Sequence, residues 1–385
     1  MKVAGLFSGV GGIELGLQRA GHEILAVGDI DPFAVEVLTR QFPDAALHGD
    51  VKALRKLPSC EILVAGFPCQ DLSQAGRTTG ITGPKSGVVS ALFQLLAGAE
   101  ARPDWLVIEN VPFMLSLQGG SAIEFLTSAL EDLNYRWAYR VVDTLAFGLP
   151  QRRRRVVLVA SQSGDPKSVL LGSDCALPRT TFSRSLACGF YWTEGNTGLG
   201  WAIDAVPPLK GGSALGIPSP PAIWSTKGTI ITPDIKDAER LQGFPADWTL
   251  STEDRPERQR WRLVGNAVSV PVFEWVGQLI LAPSAYKGDL EFDRPPKDLK
   301  WPNAAYGEKG RVQPVAAGPW PVIKERAHLE DFLLHQARPL SLRATSGFYE
   351  RARKSKLALA DGFLEALAAH IEAQRQSPSA TDKAA

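Results

Sequence analysis

The segment Ile62-Leu63-Val64-Ala65-Gly66-Phe67-Pro68-Cys69-Gln70 runs four apolar residues into a Gly/Pro turn that ends on a cysteine. That pattern predicts a buried strand delivering a thiol to the carboxyl edge of a sheet, where open α/β folds bind ligands. A thiol attacks only as thiolate, so it needs an electropositive or hydrogen-bonding setting to bring its pKa down from about 8.5. Without one it is an inert buried residue. Two other segments offer partners. Trp105 to Ile108 ends in Glu109-Asn110-Val111, placing a carboxyl acid at a second strand end. Gln151-Arg152-Arg153-Arg154-Arg155-Val156 reads as a third strand, whose alternation sends Arg153 and Arg155 to one face and Arg152 and Arg154 to the other. Two guanidinium groups can therefore enter one site, while the bland alternative is a solvated or phosphate-facing patch.

A glycine loop, Ser8-Gly9-Val10-Gly11-Gly12, follows the first apolar run and opens a helix, where backbone without Cβ can approach a ligand and helix-terminal N–H groups are free. The dinucleotide fingerprint G-x-G-x-x-G requires glycine at position 14, which is Glu14, so pyrophosphate binding is disfavoured. Asp29 and Asp31 follow the second strand and can accept hydrogen bonds from ribose hydroxyls. A nucleoside ligand fits this loop better than a dinucleotide; the alternative is a tight turn with solvated aspartates.

The elements that must carry these residues alternate. Strands are expected at Val3 to Phe7, Glu23 to Val27, Ile62 to Ala65, Trp105 to Ile108 and Val156 to Ala160. Helices are expected at Ile13 to Arg19, Pro32 to Gln41, Val88 to Glu100 and Ala122 to Asp132. Such alternation predicts an α/β fold with a parallel sheet covered on both faces. From about Ser161 to Gly228 the chain turns to Gly, Pro, Ser and Thr with scattered aromatics (Phe190, Tyr191, Trp192, Trp201, Trp224), which predicts a smaller irregular domain whose rings form a local core in preference to stacking on bases. Helices return at Lys236 to Gln242 and Val268 to Leu281. Ala282 to Pro321 reads as a long irregular connection, followed by amphipathic helices at Lys324 to Gln336 and Gly347 to Ala373, with Phe363, Leu364, Leu367 and Ile371 on one face.

Composition narrows the classes. At 385 residues the chain is long enough for one large or several ordinary domains. Its 42 Lys+Arg against 41 Asp+Glu give no whole-protein field, so any polyanion contact must come from local clusters. Four cysteines, Cys60, Cys69, Cys175 and Cys188, make neither a disulfide framework nor a zinc clip, which points to a reducing cytosolic setting. The start is interrupted by Glu14 and five glycines, unlike a signal peptide. No apolar run approaches the roughly 20 residues of a membrane helix, so no membrane partner is expected.

Taken in order, the blocks resemble the DNA (cytosine-5)-methyltransferase family: Phe7-Ser-Gly-x-Gly-Gly12, Gly66-Phe-Pro-Cys-Gln70, Glu109-Asn-Val111, Gln151-x-Arg-x-Arg155, Arg240-Leu-Gln-Gly-Phe-Pro245 and Gly265-Asn-Ala-Val268. The resemblance spans residues 1 to 281. It implies a Rossmann-like, S-adenosylmethionine-dependent methyltransferase sheet (1–160 plus 229–281), a smaller irregular target-recognition domain (161–228), and a linker with a C-terminal helical extension (282–385). By the same resemblance Phe7, Gly9, Gly11, Gly12 and Pro68 border the cofactor. Asp29 holds the ribose hydroxyls, Ile30 packs on the adenine where relatives often have an aromatic ring, and Asp50 takes the adenine amino group. Asn266, Ala267 and Val268 close the pocket. Cys69 is implied as the nucleophile on cytosine C6, with Glu109 on N3 and the exocyclic amine. Arg155, together with Arg153, is implied at O2, Pro68 also fixes the nucleophile loop, and residues Asp71 to Lys85 close over DNA. The target base must be flipped out of the duplex to reach such a site.

The family's Thr-Leu pair has no full match; Pro208-Leu209-Lys210-Gly211-Gly212-Ser213 comes nearest, a departure that bears on sequence recognition. The implied protein is a cytoplasmic, nucleoid-associated monomer acting on double-stranded DNA, in a prokaryotic restriction-modification or related system with a possible cognate restriction endonuclease. Transfer-RNA cytosine methylation and a non-catalytic DNA-binding scaffold are the competing readings. The Arg351-Ala-Arg-Lys-Ser-Lys356 cluster is either a phosphate clamp or a solvated helix face.

Overall fold

The computed structural model describes residues 1–67, 87–212, 218–251, 256–292 and 301–376. The chain forms two compact units. The first comprises Met1–Phe147, Arg154–Leu177 and Ala267–Lys324; the second comprises Gly148–Arg153, Pro178–Asn266 and Glu325–Ala385.

The first unit is built on β1 (Lys2–Leu6), β2 (Glu23–Gly28), β3 (Ala46–His48), β4 (Ile62–Ala65), β5 (Trp105–Asn110), β6 (Arg136–Asp143) and β7 (Arg154–Ser161). Its nine-stranded sheet runs Arg311–Pro314, Ala304–Glu308, β6, β7, β5, β4, β1, β2, β3. The alternating half behaves as its pattern requires, since β3, β2, β1, β4 and β5 pair in parallel. The expectation of an all-parallel sheet does not hold beyond β5: β7, β6 and the two strands after residue 300 are antiparallel. Residues Ala282 to Pro321 are accordingly not all irregular connection. Ala304–Glu308 pairs with β6, and the buried Arg140 guanidinium ties the following chain down by donating to the Gly318 carbonyl at 2.8 Å and the Leu170 carbonyl at 3.1 Å.

Local chemistry sets the helix starts beside the sheet's carboxyl edge. The helix α1 (Gly12–Arg19) begins after Gly11, whose φ of 81° is open to glycine and whose Cβ would strike the Phe42 ring at 2.3 Å. The next, α2 (Pro32–Gln41), is capped by Asp31, which accepts from Phe33 N, with Pro32 at the first helical position. Helices α3 (Val88–Ala97) and α4 (Ser121–Asp132) bury one face each in the core that holds Leu6, Leu63, Leu106 and Leu158. On the other face α1 packs on helix Val270–Leu281, where a Cβ at Gly16 would come within 2.7 Å of Phe273 Cβ.

The second unit carries a five-stranded antiparallel sheet ordered Arg338–Pro339, Ile230–Thr232, Ala222–Trp224, Cys188–Phe190, Ala202–Ile203. Its core joins Phe190 and Trp224 to Phe348, Phe363 and Leu367 of the C-terminal helices, so the aromatics do form a local core. The tail is thus an integral part of this unit, and residues from 229 to 266 belong here as well. Two helix boundaries differ from expectation. Only Leu329–Phe332 of Lys324 to Gln336 is helical, because carboxylates elsewhere capture its polar groups. Asp204 accepts from Leu329 N at 2.8 Å and pairs with Arg326, while Asp237 accepts from Leu334 N at 3.1 Å and His335 N at 2.9 Å. Burial would raise the Asp237 carboxyl, but these bonds and Arg240 carry it below its usual value. The second helix is two, Leu342–Lys354 and Phe363–Gln376, divided near Gly362 at φ 77°.

Phe363 is fully buried, and truncating it removes ring contacts with Phe190, Trp201 and Trp224. Phe363→Ala is expected to destabilise this unit by about 3–5 kcal/mol. Urea unfolding followed through tryptophan fluorescence checks this; a loss under about 1 kcal/mol would show that the tail is not part of the core.

Candidate active site

Three neighbouring strand ends bring the acidic and glycine residues of the first unit together. Past β1, Ser8 N donates to the Gly28 carbonyl at 2.8 Å, and Gly28 N donates back to Ser8 Oγ at 3.1 Å. Past β2, the Asp29 carboxylate accepts from Gly9 N and Asp31 N, both at 2.8 Å. Asp29 N donates to the His48 carbonyl at 3.2 Å, which ties in β3, and Asp50 then caps the turn Val51–Ala53 through Lys52 N at 2.9 Å. Ile30 is 74% exposed beside Asp29. Gly9 has nothing within 4 Å of where a Cβ would stand.

The next two strand ends carry the acid. Glu109 Oε1 meets Arg155 Nε at 2.9 Å, both side chains being largely enclosed. The pairing follows from register, because β5 and β7 run antiparallel with Glu109 opposite Val157, two residues from Arg155 and on the same face. Gly66 follows β4 beside them: a Cβ there would lie 3.6 Å from the Phe7 carbonyl oxygen and 4.0 Å from Glu109 Oε2. Phe7 and Phe67 stack edge to face at 6.2 Å. Asn110 Nδ2 donates to the Phe67 carbonyl at 3.1 Å, pinning the backbone immediately before Pro68. Pro68, Cys69 and the segment Asp71 to Lys85 lie outside the described residues. Of the other cysteines, burial pushes the Cys60 thiol up to about 12 and Cys188 up to about 11, which leaves both protonated and unreactive near neutrality.

Arg153 is employed differently from the expectation of a second catalytic guanidinium. It belongs to the second unit, is 2% exposed, and donates to the Leu209 carbonyl at 2.9 Å and the Gly265 carbonyl at 3.4 Å. Gln151 is likewise buried, accepting from Leu209 N at 3.0 Å and donating to the Leu241 carbonyl at 2.8 Å. These bonds gather the 207–212 segment, the Leu241-Gln242 turn and Gly265 into one node, where a Cβ at Gly265 would strike Lys210 backbone at 2.1 Å. The expected third strand begins only at Arg154, because residues up to Arg153 are engaged here. Asn266 closes helix Glu257–Asn266 in this second unit, against Gly211. Ala267 and Val268 belong to the first unit, where Ser269 Oγ and Thr144 Oγ1 share a buried hydrogen bond of 2.7 Å.

The profile of the C-5 cytosine-specific DNA methylase family fits residues 1–185 and 231–282. The Type II methyltransferase M2.BsuMI of Bacillus subtilis (strain 168) is 48% identical over 380 residues, covering 95% of this chain and 97% of that protein. The chain belongs to the C-5 cytosine-specific DNA methylase family. A more distant member, M.MspI of Moraxella sp, is 27% identical over 72% of this chain and 70% of its own length. The crystal structure of S. pombe Dnmt2 methyltransferase superposes with a TM-score of 0.56 at 19% identity, over 73% of this methylase and 98% of that chain, a likeness of fold.

Two features of this methylase are not legible as motifs. Asn110 reads only as the middle of Glu-Asn-Val, yet it holds the backbone entering the cysteine loop. Glu14 reads only as a missing glycine, yet it is fully buried. Burial raises its carboxyl to about 7, opposed by the Ser8 hydroxyl and assisted by Asp29. A carboxyl raised on folding holds its proton better in the folded state, so its contribution is favourable near pH 4.5 and is lost as pH climbs through about 7. The loss is on the order of 3 kcal/mol. Glu14→Gln is therefore expected to raise the melting temperature at pH 8 and leave it nearly unchanged at pH 5; equal shifts at both pH values would refute the assignment.

Proposed function

We propose that this DNA cytosine-5 methyltransferase works through Cys69, Glu109 and Arg155, with S-adenosylmethionine on the glycine loop. The observation that carries the reading is the Glu109–Arg155 pair beside Gly66, at the mouth of the segment that leads to Cys69. A carboxyl group and a guanidinium held together suit the N3 and O2 edge of a cytosine. The Cys69 thiolate adds to C6 while Glu109 holds N3 and the exocyclic amine, and Arg155 stabilises charge moving onto the ring. Once C5 has been methylated, loss of its proton and departure of the thiolate restore the aromatic ring. Asn110, by pinning Phe67, sets where the cysteine loop begins; Arg153 and Gln151 act as positioning residues within the second unit.

The chain's own residues fit S-adenosylmethionine. Gly9 leaves open space over the loop, and Ser8, Asp29 and Asp50 present acceptors with Ile30 exposed beside them. A pyrophosphate would meet carboxylates at these positions. When bound, the cofactor supplies an electrophilic methyl group on a sulfonium. Phe7, Gly9, Gly11, Gly12, Asp29, Ile30, Asp50, Ala267 and Val268 are proposed to border it, and Pro68 and Asn266 stay assigned on their sequence match alone.

The second unit is proposed to recognise the DNA target. The Arg351 to Lys356 cluster contributes little to that: Arg351 donates to the Glu194 carbonyl at 2.9 Å and the Trp192 carbonyl at 2.7 Å, and Arg353 pairs with Glu350 at 3.0 Å. Likeness to Type II methyltransferases supports a role in the modification arm of a restriction-modification system in the bacterial cytoplasm, with a cognate endonuclease as partner. The test is labelled-methyl transfer to duplex DNA and to transfer RNA, followed by bisulfite sequencing of the DNA. Label confined to cytosine C5 of DNA in one sequence context supports the reading; label on transfer RNA alone overturns it.

A further inference from the structure

Glu14 stands in the first turn of α1, two residues past the Gly11-Gly12 entry, with no exposed surface. Neither carboxylate oxygen has a partner at full hydrogen-bond geometry, the Ser8 hydroxyl and the Glu14 N–H being the donors that bear on the carboxylate. Its position follows from Gly5 in β1: a Cβ at Gly5 would lie 1.9 Å from Glu14 Oε1 and 2.7 Å from Ser8 Oγ. The carboxyl therefore fills the space that a side chain on β1 would take, against the residue that opens the glycine loop. That residue, Ser8, is itself tied to Gly28, and the next, Gly9, to Asp29.

Among the described residues no cation acts on it. Asp29, at the end of β2, acts on it as a like charge. The helix packed on α1 meets Gly16 through backbone atoms of Val270 and Glu274 and the Phe273 Cβ, and brings no charge to it there. Ser8, from the loop, and the Ser269–Thr144 pair elsewhere in the unit are uncharged. An enclosed carboxylate without a cation is costly, and a ligand that brings a positive charge relieves the cost.

The reaction supplies such a contrast, because its cofactor carries a sulfonium before transfer and an uncharged thioether after it. We propose that Glu14 is a positioning residue that reads this charge, favouring S-adenosylmethionine over S-adenosylhomocysteine at the glycine loop. The inference rests on the cofactor assignment made above. Binding of the cation draws Glu14 into its ionised form and releases a proton. After transfer the sulfur is neutral, Glu14 takes up a proton from solvent, and the product is held less tightly.

The sign of the pH dependence follows. Below neutrality Glu14 is protonated, and the preference for the cation is small. As pH rises through about 7 the carboxylate becomes available and the preference grows. S-adenosylhomocysteine has no charge at sulfur to couple to it.

Isothermal titration of the full chain with S-adenosylmethionine, S-adenosylhomocysteine and sinefungin tests this, the last carrying an ammonium where the sulfonium stands. The preference for the two cations over S-adenosylhomocysteine is expected to rise by roughly tenfold between about pH 6 and pH 8. In Glu14→Gln that rise is expected to disappear, with the affinity for S-adenosylhomocysteine changed by less than about threefold. A variant that weakens all three ligands equally, or a native preference indifferent to pH, overturns the inference. If Glu14→Gln does not fold, the pH series on the native chain decides by itself. Failure of all three ligands to bind the native chain would sink the cofactor assignment instead.

Discussion

Cys69→Ala is expected to abolish methyl transfer, lowering kcat by at least about 10⁴-fold, while duplex DNA still binds within a few-fold of the native affinity. The magnitude follows from the chemistry of the ring. Cytosine C5 is a poor nucleophile, and only addition of an electron pair at C6 turns C5 into an enamine-like carbon. No hydrogen bond from Glu109 or Arg155 replaces that covalent step, so removing the sulfur removes the pathway. Duplex DNA carrying 5-fluorocytosine at the target makes the result decisive. Fluorine at C5 cannot leave as a proton does, so the native protein should accumulate a denaturant-stable adduct in the presence of cofactor, and Cys69→Ala none. An adduct formed by the variant would assign the nucleophile elsewhere. Cys60 and Cys188 are poor replacements, because burial keeps both protonated.

Arg155→Ala is expected to lower kcat by about 10²–10³-fold, with cofactor affinity changed less than about threefold. Two losses combine. The donor for charge developing on the ring disappears, and Glu109, whose side chain is 12% exposed, loses the guanidinium 2.9 Å away. Because the two groups share one hydrogen-bonded unit, the double variant Glu109→Gln/Arg155→Ala should be little worse than the poorer single one. Full additivity would show that the pair acts independently. Arg155→Lys should recover only part of the activity, since an ammonium supplies a point charge in place of the planar fork that pairs with Glu109. Arg153→Lys separates the two arginines of the motif. Its native donors go to the Leu209 and Gly265 carbonyls, so the expected loss appears in stability of the second unit and in DNA affinity before it appears in the chemical step.

Much of the parallel sheet was legible along the chain because each of its elements is local. A short apolar strand and a chemically distinctive residue lie within one window, as in Ile62–Ala65 ahead of Gly66 or Trp105–Asn110 carrying Glu109. Parallel strands buried on both faces read as continuous apolar runs, and the starts of α1 and α2 are marked by Gly11 and by Asp31-Pro32. The short antiparallel strands near residue 310 were not legible. Tyr306-Gly307-Glu308 carries no alternation of its own and is ordered by pairing with β6 some 160 residues earlier in the chain.

Arg153 and Arg155 are enclosed and Arg152 and Arg154 exposed, but only Arg154 and Arg155 lie in the strand, so alternation was not the cause and the two enclosed guanidinium groups do not share a face. The residue pattern could not tell which enclosed guanidinium would meet a carboxylate and which would meet carbonyls. Residue types and their order were enough to determine the family and its chemistry, and to put Glu109 at the end of a strand. The tertiary structure alone decided that Arg155 faces Glu109, that Arg153 braces Leu209 and Gly265, that Glu14 is sealed beside Gly5, and that the C-terminal helices complete the second unit's core. The reason is physical: burial and partnership depend on what distant segments leave uncovered, and local sequence patterns carry no record of that.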